Sequence, residues 1–398
     1  MLYSTLFLAL VSASLTTAVP SNSEHANLRQ AREARSLLLQ VKAQDDMSDP
    51  DDLTVAVTLI NKGSAAVKIL NDPNSVLSTW RTHTFDFTTA PSASSDGVKA
   101  KASDQANVRA LKVKYNPKVA AALNDSSVYT ILEPGENKTV VHDLSGMYSF
   151  RTTGAYTVKL VSTAENFRVV EDDGSISVVP ATVYNGEEAE KWSAMNVGTI
   201  ATLNPKRGLT NAGMANIDSV AGGPPLNRMI KRAASASFTN CTASQQSSIN
   251  EATKVASTYI SGANTYLSGT LSTRYTTWFG AQTTNRLNLV KGHYQKLAAM
   301  TVFKFDCRCD DPTVYAYVDP YETTIYPCGA FWNAPVSGTD SKAGTIVHEG
   351  SHIQAVGGTE DYVYGQDACK ELATSNPDHA VMNADTHEYF AENTPSLN

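Results

Sequence analysis

Two histidines with the spacing of metal ligands stand in the C-terminal part of this sequence. The motif His-Glu-Gly-Ser-His occupies residues 348–352, and Asp361 follows it nine residues later. On a helix, residues four apart share a face, so both imidazoles can bind one ion. The intervening Glu349 can reach a metal-bound water without being a ligand. Three protein ligands and an open fourth position are typical of a catalytic zinc site, so the pattern predicts a metallopeptidase.

The residues around the motif predict the elements that position it. Asp340 or Ser341 can cap the start of a helix that carries the motif. Gly357 and Gly358 predict the end of this helix, because glycine tolerates the left-handed conformation found at helix ends. A break there allows the chain to turn back and to carry Asp361 toward the metal.

The identity of the third ligand stays open on spacing alone. The metzincin pattern needs a glycine three residues and a histidine six residues after the second motif histidine. Ala355 and Gly358 occupy those positions, so this pattern is excluded. A glutamate on a later helix, Glu371, and the carboxylate of Asp361 remain as candidates.

Three segments of the C-terminal region carry a more specific pattern. They are the motif with Gly-Thr-x-Asp-x-x-Tyr-Gly at 358–365, the stretch 382–393, and Cys-Gly-Ala-Phe-Trp at 328–332. Together they resemble the deuterolysin, or aspzincin, family of secreted fungal zinc metallopeptidases. The last two segments look like its peptidyl-Lys metalloendopeptidase branch. The resemblance covers about residues 237–398.

The resemblance implies a role for each residue of the site. One zinc ion is bound by His348, His352 and Asp361, which decides against Glu371. Glu349 is the general base that activates a zinc-bound water, and the hydroxyl of Tyr364 stabilises the developing oxyanion. The implied fold is α+β, with a mainly helical, zincin-like catalytic domain that contains a small sheet.

A pair of carboxylates, Asp385 and Glu388, lies three residues apart and therefore on one helix face. Such a pair is ordinarily a solvated acidic surface. The resemblance instead implies a pocket for a substrate lysine, with cleavage at the amino side of that lysine. One alternative is a broader deuterolysin-like endopeptidase that favours basic proteins without strict lysine selectivity. A binding protein that keeps the fold without activity is a weaker alternative, since ligands, base and tyrosine are all present.

All five cysteines lie at or after position 241. In a secreted chain such a cluster indicates disulfides. The resemblance implies the pairs Cys241–Cys307 and Cys309–Cys328. Cys369 is then left over, and we expect it to be a buried small apolar side chain.

The chain divides into three predicted segments. Residues 1–18 have the short apolar core and small residues of a secretory signal peptide, which predicts an extracellular protein. Residues 19–232 contain alternating apolar runs that predict strands of an all-β sandwich-like propeptide. The pair Lys231-Arg232 is a candidate cleavage site for a processing protease, and residues 233–398 form the peptidase domain. The propeptide contains no cysteine that could bind the zinc, so we expect it to block the cleft or to assist folding.

Apolar periodicity also predicts the elements of the peptidase domain. Helices are expected at 244–267, 283–300, 363–375 and 377–392, and a hairpin at 313–318 and 323–326. In zinc peptidases a strand beside the zinc helix holds the substrate in extended form, and the hairpin is our candidate for this strand.

The net negative charge of the chain comes from the predicted peptidase domain. The whole chain has a net charge of −7, and residues 233–398 contain nine Lys and Arg against sixteen Asp and Glu. An acidic surface attracts cationic substrates and repels nucleic acid. No stretch after the predicted signal approaches the roughly 18 uninterrupted apolar residues of a membrane span. The expected partners are therefore protein or peptide substrates, the propeptide and a processing protease, without nucleic acid or membrane.

Overall fold

The computed structural model describes residues 36–43, 46–47, 52–89, 105–123, 125–150, 154–184, 194–197 and 234–397. The predicted signal peptide 1–18 and the dibasic pair Lys231-Arg232 lie outside these residues. Within them, no helix is long and apolar enough to cross a membrane.

The described N-terminal part consists mainly of strands. Its elements are β1 (Leu37–Ala43), β2 (Asp46–Met47), β3 (Thr54–Asn61), β4 (Val67–Leu70), β5 (Phe85–Thr89), β6 (Asn107–Val108), β7 (Lys112–Tyr115), α1 (Pro117–Ala122), β8 (Tyr129–Leu132), β9 (Asn137–Asp143), β10 (Tyr148–Ser149), β11 (Gly154–Leu160), β12 (Asn166–Val170), β13 (Ile176–Val183) and β14 (Ala194–Val197). Along β3, buried residues alternate with half-buried ones, as expected for a strand with one face on a core.

These strands form three sheets, and a fourth sheet continues into the C-terminal part. The largest has the order β8-β4-β12-β13-β1-β3-β9, with β1 and β13 parallel and its other pairs antiparallel. Strands β2-β14-β11-β5 form a second sheet, and β10-β6 form a third. Strand β7 leaves the N-terminal part and joins the sheet of the C-terminal part.

The C-terminal part combines helices with one sheet, so the described chain is α+β. Its elements are β15 (Ser235–Thr239), α2 (Ala243–Ser268), α3 (Thr273–Phe279), α4 (Thr284–Ala299), β16 (Val302–Asp306), β17 (Val314–Val318), β18 (Thr324–Pro327), α5 (Gly329–Asn333), α6 (Lys342–His352), α7 (Gln366–Ser375), α8 (Pro377–Ala380) and α9 (Ala384–Glu392). The sheet order is β15-β16-β18-β17-β7.

Most predicted elements of the C-terminal part are confirmed. Helices α2, α4 and α7 lie within one to three residues of the predicted bounds, and β17 and β18 form the predicted antiparallel hairpin. The single helix predicted over 377–392 is wrong, because the chain forms two helices, α8 and α9, with a break between them. This break has a role in the site described below.

The two largest apolar cores each lie within one part, and smaller clusters around β7 and α1 join the two parts. One lies among the N-terminal sheets, and the other packs α2, α4, α6 and α9 against β16, β17 and β18. The structure contains both implied disulfides, Cys241–Cys307 and Cys309–Cys328, which link β15, β16 and β18 at their ends. The thiol of Cys369 is free and buried, as expected.

Candidate active site

Helix α6 carries the two motif histidines in the centre of the C-terminal core. Ser341 caps its start, because the side-chain hydroxyl accepts a hydrogen bond from the backbone N–H of Gly344 at 2.9 Å. Every residue of α6 is buried. The helix ends at His352, so the end predicted at Gly357 and Gly358 lies five residues too late. The backbone N–H of Gln354 instead donates to the carbonyl of Pro320, which draws the chain off the helix axis.

The chain after α6 turns back toward the helix. Gly358 has a φ of +58°, which a residue with a side chain adopts only at a cost. His352 Nδ1 lies 2.7 Å from the carbonyl oxygen of Thr359, so this ring nitrogen carries the proton and Nε2 faces the site. Asp361 Oδ1 then lies 3.2 Å from His348 Nε2 and 3.3 Å from His352 Nε2.

The break between α8 and α9 fixes the Asp361 turn. The side-chain oxygen of Asn383 accepts hydrogen bonds from the backbone N–H groups of Tyr362 and Val363, at 2.9 and 3.1 Å. Glu360 forms a backbone bridge with the same segment. In a continuous helix the backbone groups of this segment would form hydrogen bonds within the helix. The break frees them to bind Glu360 and so to hold the turn beside α9.

The three groups fit a zinc ion. His348 Nε2, His352 Nε2 and Asp361 Oδ1 are buried and make no hydrogen bond to any described residue. Tetrahedral ligands about 2.0–2.1 Å from zinc are separated from one another by about 3.3 Å. The two distances from the aspartate oxygen to the imidazole nitrogens match this separation. The alternative ligand Glu371 is exposed on α7. Among the described residues it is not part of any cluster of side chains that could bind a metal ion.

Glu349 and Tyr364 each lie close enough to Asp361 to interact with it electrostatically. Both carboxylate oxygens of Glu349 are buried without a hydrogen-bond partner among the described residues. Burial raises the pKa of Glu349 to about 8, which suits a group that accepts and returns protons near neutral pH. The hydroxyl of Tyr364 donates to the carbonyl oxygen of Val113 at 2.8 Å. Val113 belongs to β7, so the group that accepts this hydrogen bond is the carbonyl of a peptide strand.

Asp385 and Glu388 lie on one face of α9, as their spacing predicts. They line a pocket next to His348. The pocket is filled by the side chain of Lys114 from β7, which is 2% exposed. The ammonium forms an ion pair with Glu388 and lies 3.7 Å from Asp385 Oδ1. Burial acts to lower the pKa of Lys114, but the facing carboxylates outweigh it and hold this pKa well above its ordinary value.

Two further residues of this pocket were missed from the sequence. Asp340 Oδ1 lies 3.9 Å from the ammonium of Lys114, and the ring of Tyr315 has its centroid 5.0 Å away. The sequence predicts Asp340 only as a helix cap and Tyr315 only as part of the hairpin. No local signal distinguishes them, because they reach the pocket through the fold. We call the group Asp340, Asp385, Glu388 and Tyr315 the lysine pocket.

Asp385 has a second contact that connects the lysine pocket to the metal cluster. Its Oδ1 lies 2.8 Å from His348 Nδ1, and its Oδ2 accepts a hydrogen bond from the backbone N–H of Gly365 at 2.8 Å. A carboxylate behind a metal-binding imidazole fixes the orientation and tautomer of the ring. Asp385 therefore orients His348 as well as facing the ammonium.

Comparisons with known proteins show the family of this chain. The profile of a family described as lysine-specific metallo-endopeptidase matches residues 263–392. A peptidyl-Lys metalloendopeptidase from Armillaria mellea is 36% identical, over 91% of this chain and 93% of that protein. A second, from Grifola frondosa, is 34% identical over 99% of both. A solved zinc peptidase from Grifola frondosa is 47% identical and covers 40% of this chain and 100% of its own, with a TM-score of 0.39. The chain thus belongs to the aspzincin family and is a zinc metalloendopeptidase that acts on protein or peptide substrates.

Proposed function

We propose that this protein is a secreted zinc metalloendopeptidase that hydrolyses peptide bonds at the amino side of lysine. The observation that carries the proposal is the occupied lysine pocket. The side chain of Lys114, in the extended strand β7, reaches three carboxylates. The carbonyl oxygen of the preceding residue, Val113, accepts a hydrogen bond from Tyr364. The names of the Armillaria and Grifola relatives support the same specificity.

Each residue of the site has a separate role in the reaction. His348, His352 and Asp361 hold the zinc, which when bound supplies a Lewis acid and lowers the pKa of water. Glu349 takes a proton from the attacking water and returns it to the leaving amine. The hydroxyl of Tyr364 donates a hydrogen bond to the carbonyl oxygen as negative charge develops there. A single donor of this kind contributes about 3–4 kcal/mol to transition-state stabilisation.

The lysine pocket supplies the selectivity. The flexible stem of lysine brings its ammonium to Glu388 and Asp385, both of which are buried.

The organisation of the full chain is also part of the proposal. Residues 1–18 direct secretion, residues 19–232 are a propeptide released by cleavage at Lys231-Arg232, and residues 233–398 are the active enzyme. The two largest apolar cores, each of which lies within one part, support this division. An N-terminal sequence of the secreted protein that begins near residue 233 is the expected result, and a single chain of full length in the active fraction would contradict it.

Mapping of cut sites tests the specificity. One denatured protein is digested with the processed enzyme, and the new N-termini are identified by mass spectrometry. We expect nearly all fragments to begin with lysine. Fragments that begin equally often with other residues would favour the broader deuterolysin-like alternative. A parallel digestion with the Glu349→Gln variant should give no fragments, and unchanged digestion would identify a contaminating protease.

A further inference from the structure

Strand β7 lies across the active site in the manner of a peptide substrate. It pairs antiparallel with β17, with Lys112 opposite Val318 and Lys114 opposite Ala316. β17 is the outer strand of the hairpin, and β7 adds to its free edge. Addition of an extended peptide to a sheet edge uses backbone hydrogen bonds for affinity and side-chain pockets for specificity.

The register of β7 relative to the catalytic groups is that of a peptide cut before lysine. The carbonyl oxygen of Val113 accepts a hydrogen bond from Tyr364, and the backbone N–H of Val113 lies 3.3 Å from Asp361 Oδ2. The next side chain, that of Lys114, fills the lysine pocket. The bond between Val113 and Lys114 therefore follows directly on the contacts of Val113 with Tyr364 and Asp361 and precedes the lysine pocket.

Contacts on both sides of β7 hold this strand in place. Before the strand, Arg109 forms an ion pair with Asp319 at 2.6 Å. After it, the side-chain amide of Asn116 donates to Asp340 at 3.2 Å. The N-terminal part thus supports the strand at two points on the rim of the cleft, and a free peptide could not enter while β7 is bound.

We propose that β7 is a tethered substrate: it keeps the cleft closed with Lys114 in the lysine pocket, and the enzyme itself opens the cleft by hydrolysing the Val113–Lys114 bond. This inference rests on the proposed lysine specificity. One water is consumed. The bond between the Val113 carbonyl carbon and the Lys114 nitrogen breaks, Val113 gains a carboxylate, and Lys114 gains a free amino group. No oxidant or other reactant is required.

Cleavage is tested on the full-length chain. Wild-type and Glu349→Gln chains are incubated with zinc, and their masses and new N-termini are followed by mass spectrometry. We expect a new N-terminus at Lys114 in the wild type only, formed at a rate independent of protein concentration because the strand is in its own cleft. If the processed enzyme cuts an added lysyl peptide but the wild-type full-length chain stays intact at Val113–Lys114, the inference is overturned. If the processed enzyme cuts no lysyl peptide, the proposed function is overturned, and the inference with it.

Occupancy of the cleft is tested by binding, without turnover. Full-length Glu349→Gln chains carrying Lys114→Ala, or Lys118→Ala as the matched control, are titrated with a fluorescent lysyl peptide. Lys118 is an exposed lysine four residues away. A tethered segment competes at an effective concentration of about millimolar, so removal of its lysine should tighten peptide binding by about tenfold or more. Equal affinities in the two variants would show that Lys114 does not occupy the pocket. The cleavage measurement needs no change at Lys114, so it decides the matter if Lys114→Ala fails to fold.

Discussion

Replacing Glu388 by glutamine removes a negative charge from the lysine pocket and leaves its shape nearly unchanged. Glu388 is fully buried and is the carboxylate that forms the direct ion pair with the lysine ammonium. Loss of one partner from a buried, hydrogen-bonded charge pair costs about 2–5 kcal/mol. Asp385 and Asp340 remain at 3.7 and 3.9 Å, so we take a loss of about 3 kcal/mol within that range.

The expected result is a fall of roughly 10²-fold in kcat/KM for a lysyl peptide, since about 1.36 kcal/mol corresponds to a factor of ten. Cleavage of the same peptide with norleucine in place of lysine should not fall and should rise, because the variant leaves one fewer buried charge without a partner. The assay therefore compares the two peptides on the processed enzyme, with bound zinc measured in each sample.

Glu371→Gln is the matched control, because it makes the same change at an exposed position on α7. It should leave both rates as in the wild type. The reasoning is refuted if Glu388→Gln keeps full zinc and its ratio of lysyl to norleucyl cleavage stays within about threefold of the wild type, because a pocket charge that close to the ammonium cannot be without effect.

Three further results are expected. Asp385→Ala should lower the preference for lysine. Because Asp385 also contacts His348 Nδ1, the variant should bind zinc about 10–100-fold more weakly, measured by competition with a chelator. Tyr364→Phe should lower kcat by about 10²–10³-fold with little change in KM, since its hydroxyl acts on the developing charge. Burial lowers the pKa of His293 to about 4, below its unfolded value of about 6.5, so stability present above pH 6.5 is lost as the pH falls toward 4. His293→Gln should therefore reduce the loss of unfolding free energy between pH 7 and pH 5 by about 2 kcal/mol, measured by urea denaturation; an unchanged loss would contradict this.

Features encoded by neighbouring residues could be predicted from the sequence. The two histidines share a face because the helical period places residues four apart together, and Ser341 caps the helix through a hydrogen bond within one turn. The end of α6 was misplaced because a tertiary contact from Pro320 decides it. The break before α9 was missed for a similar reason, since Asn383 is engaged by the Asp361 turn twenty residues earlier.

Features that depend on distant pairing could not be predicted. Nothing in the residues of β7 distinguishes it from other short alternating runs, and its partner β17 lies about 200 residues later in the chain. The pairing of Lys114 with α9 spans 274 residues. The sequence could predict that the N-terminal part blocks the cleft or assists folding, but the strand and the lysine that enter the cleft become visible only in the folded chain.

The charge balance of the lysine pocket explains why one cation is needed there. Gly344 has no side chain, and a Cβ at this position would collide with the carboxylate of Glu392 and lie 2.8 Å from Glu388 Oε1. The close approach gathers several acids around one site, and burial together with the charge of Glu388 raises the pKa of Glu392 to about 9. With Lys114 in the pocket, Glu392 is therefore neutral near pH 7, whereas the pKa of Asp385 is lowered by Lys114 and His348 against the effect of burial, and burial raises the pKa of Glu388. A neutral substrate side chain would leave the charged carboxylates of this pocket without a partner, and that penalty discriminates against it.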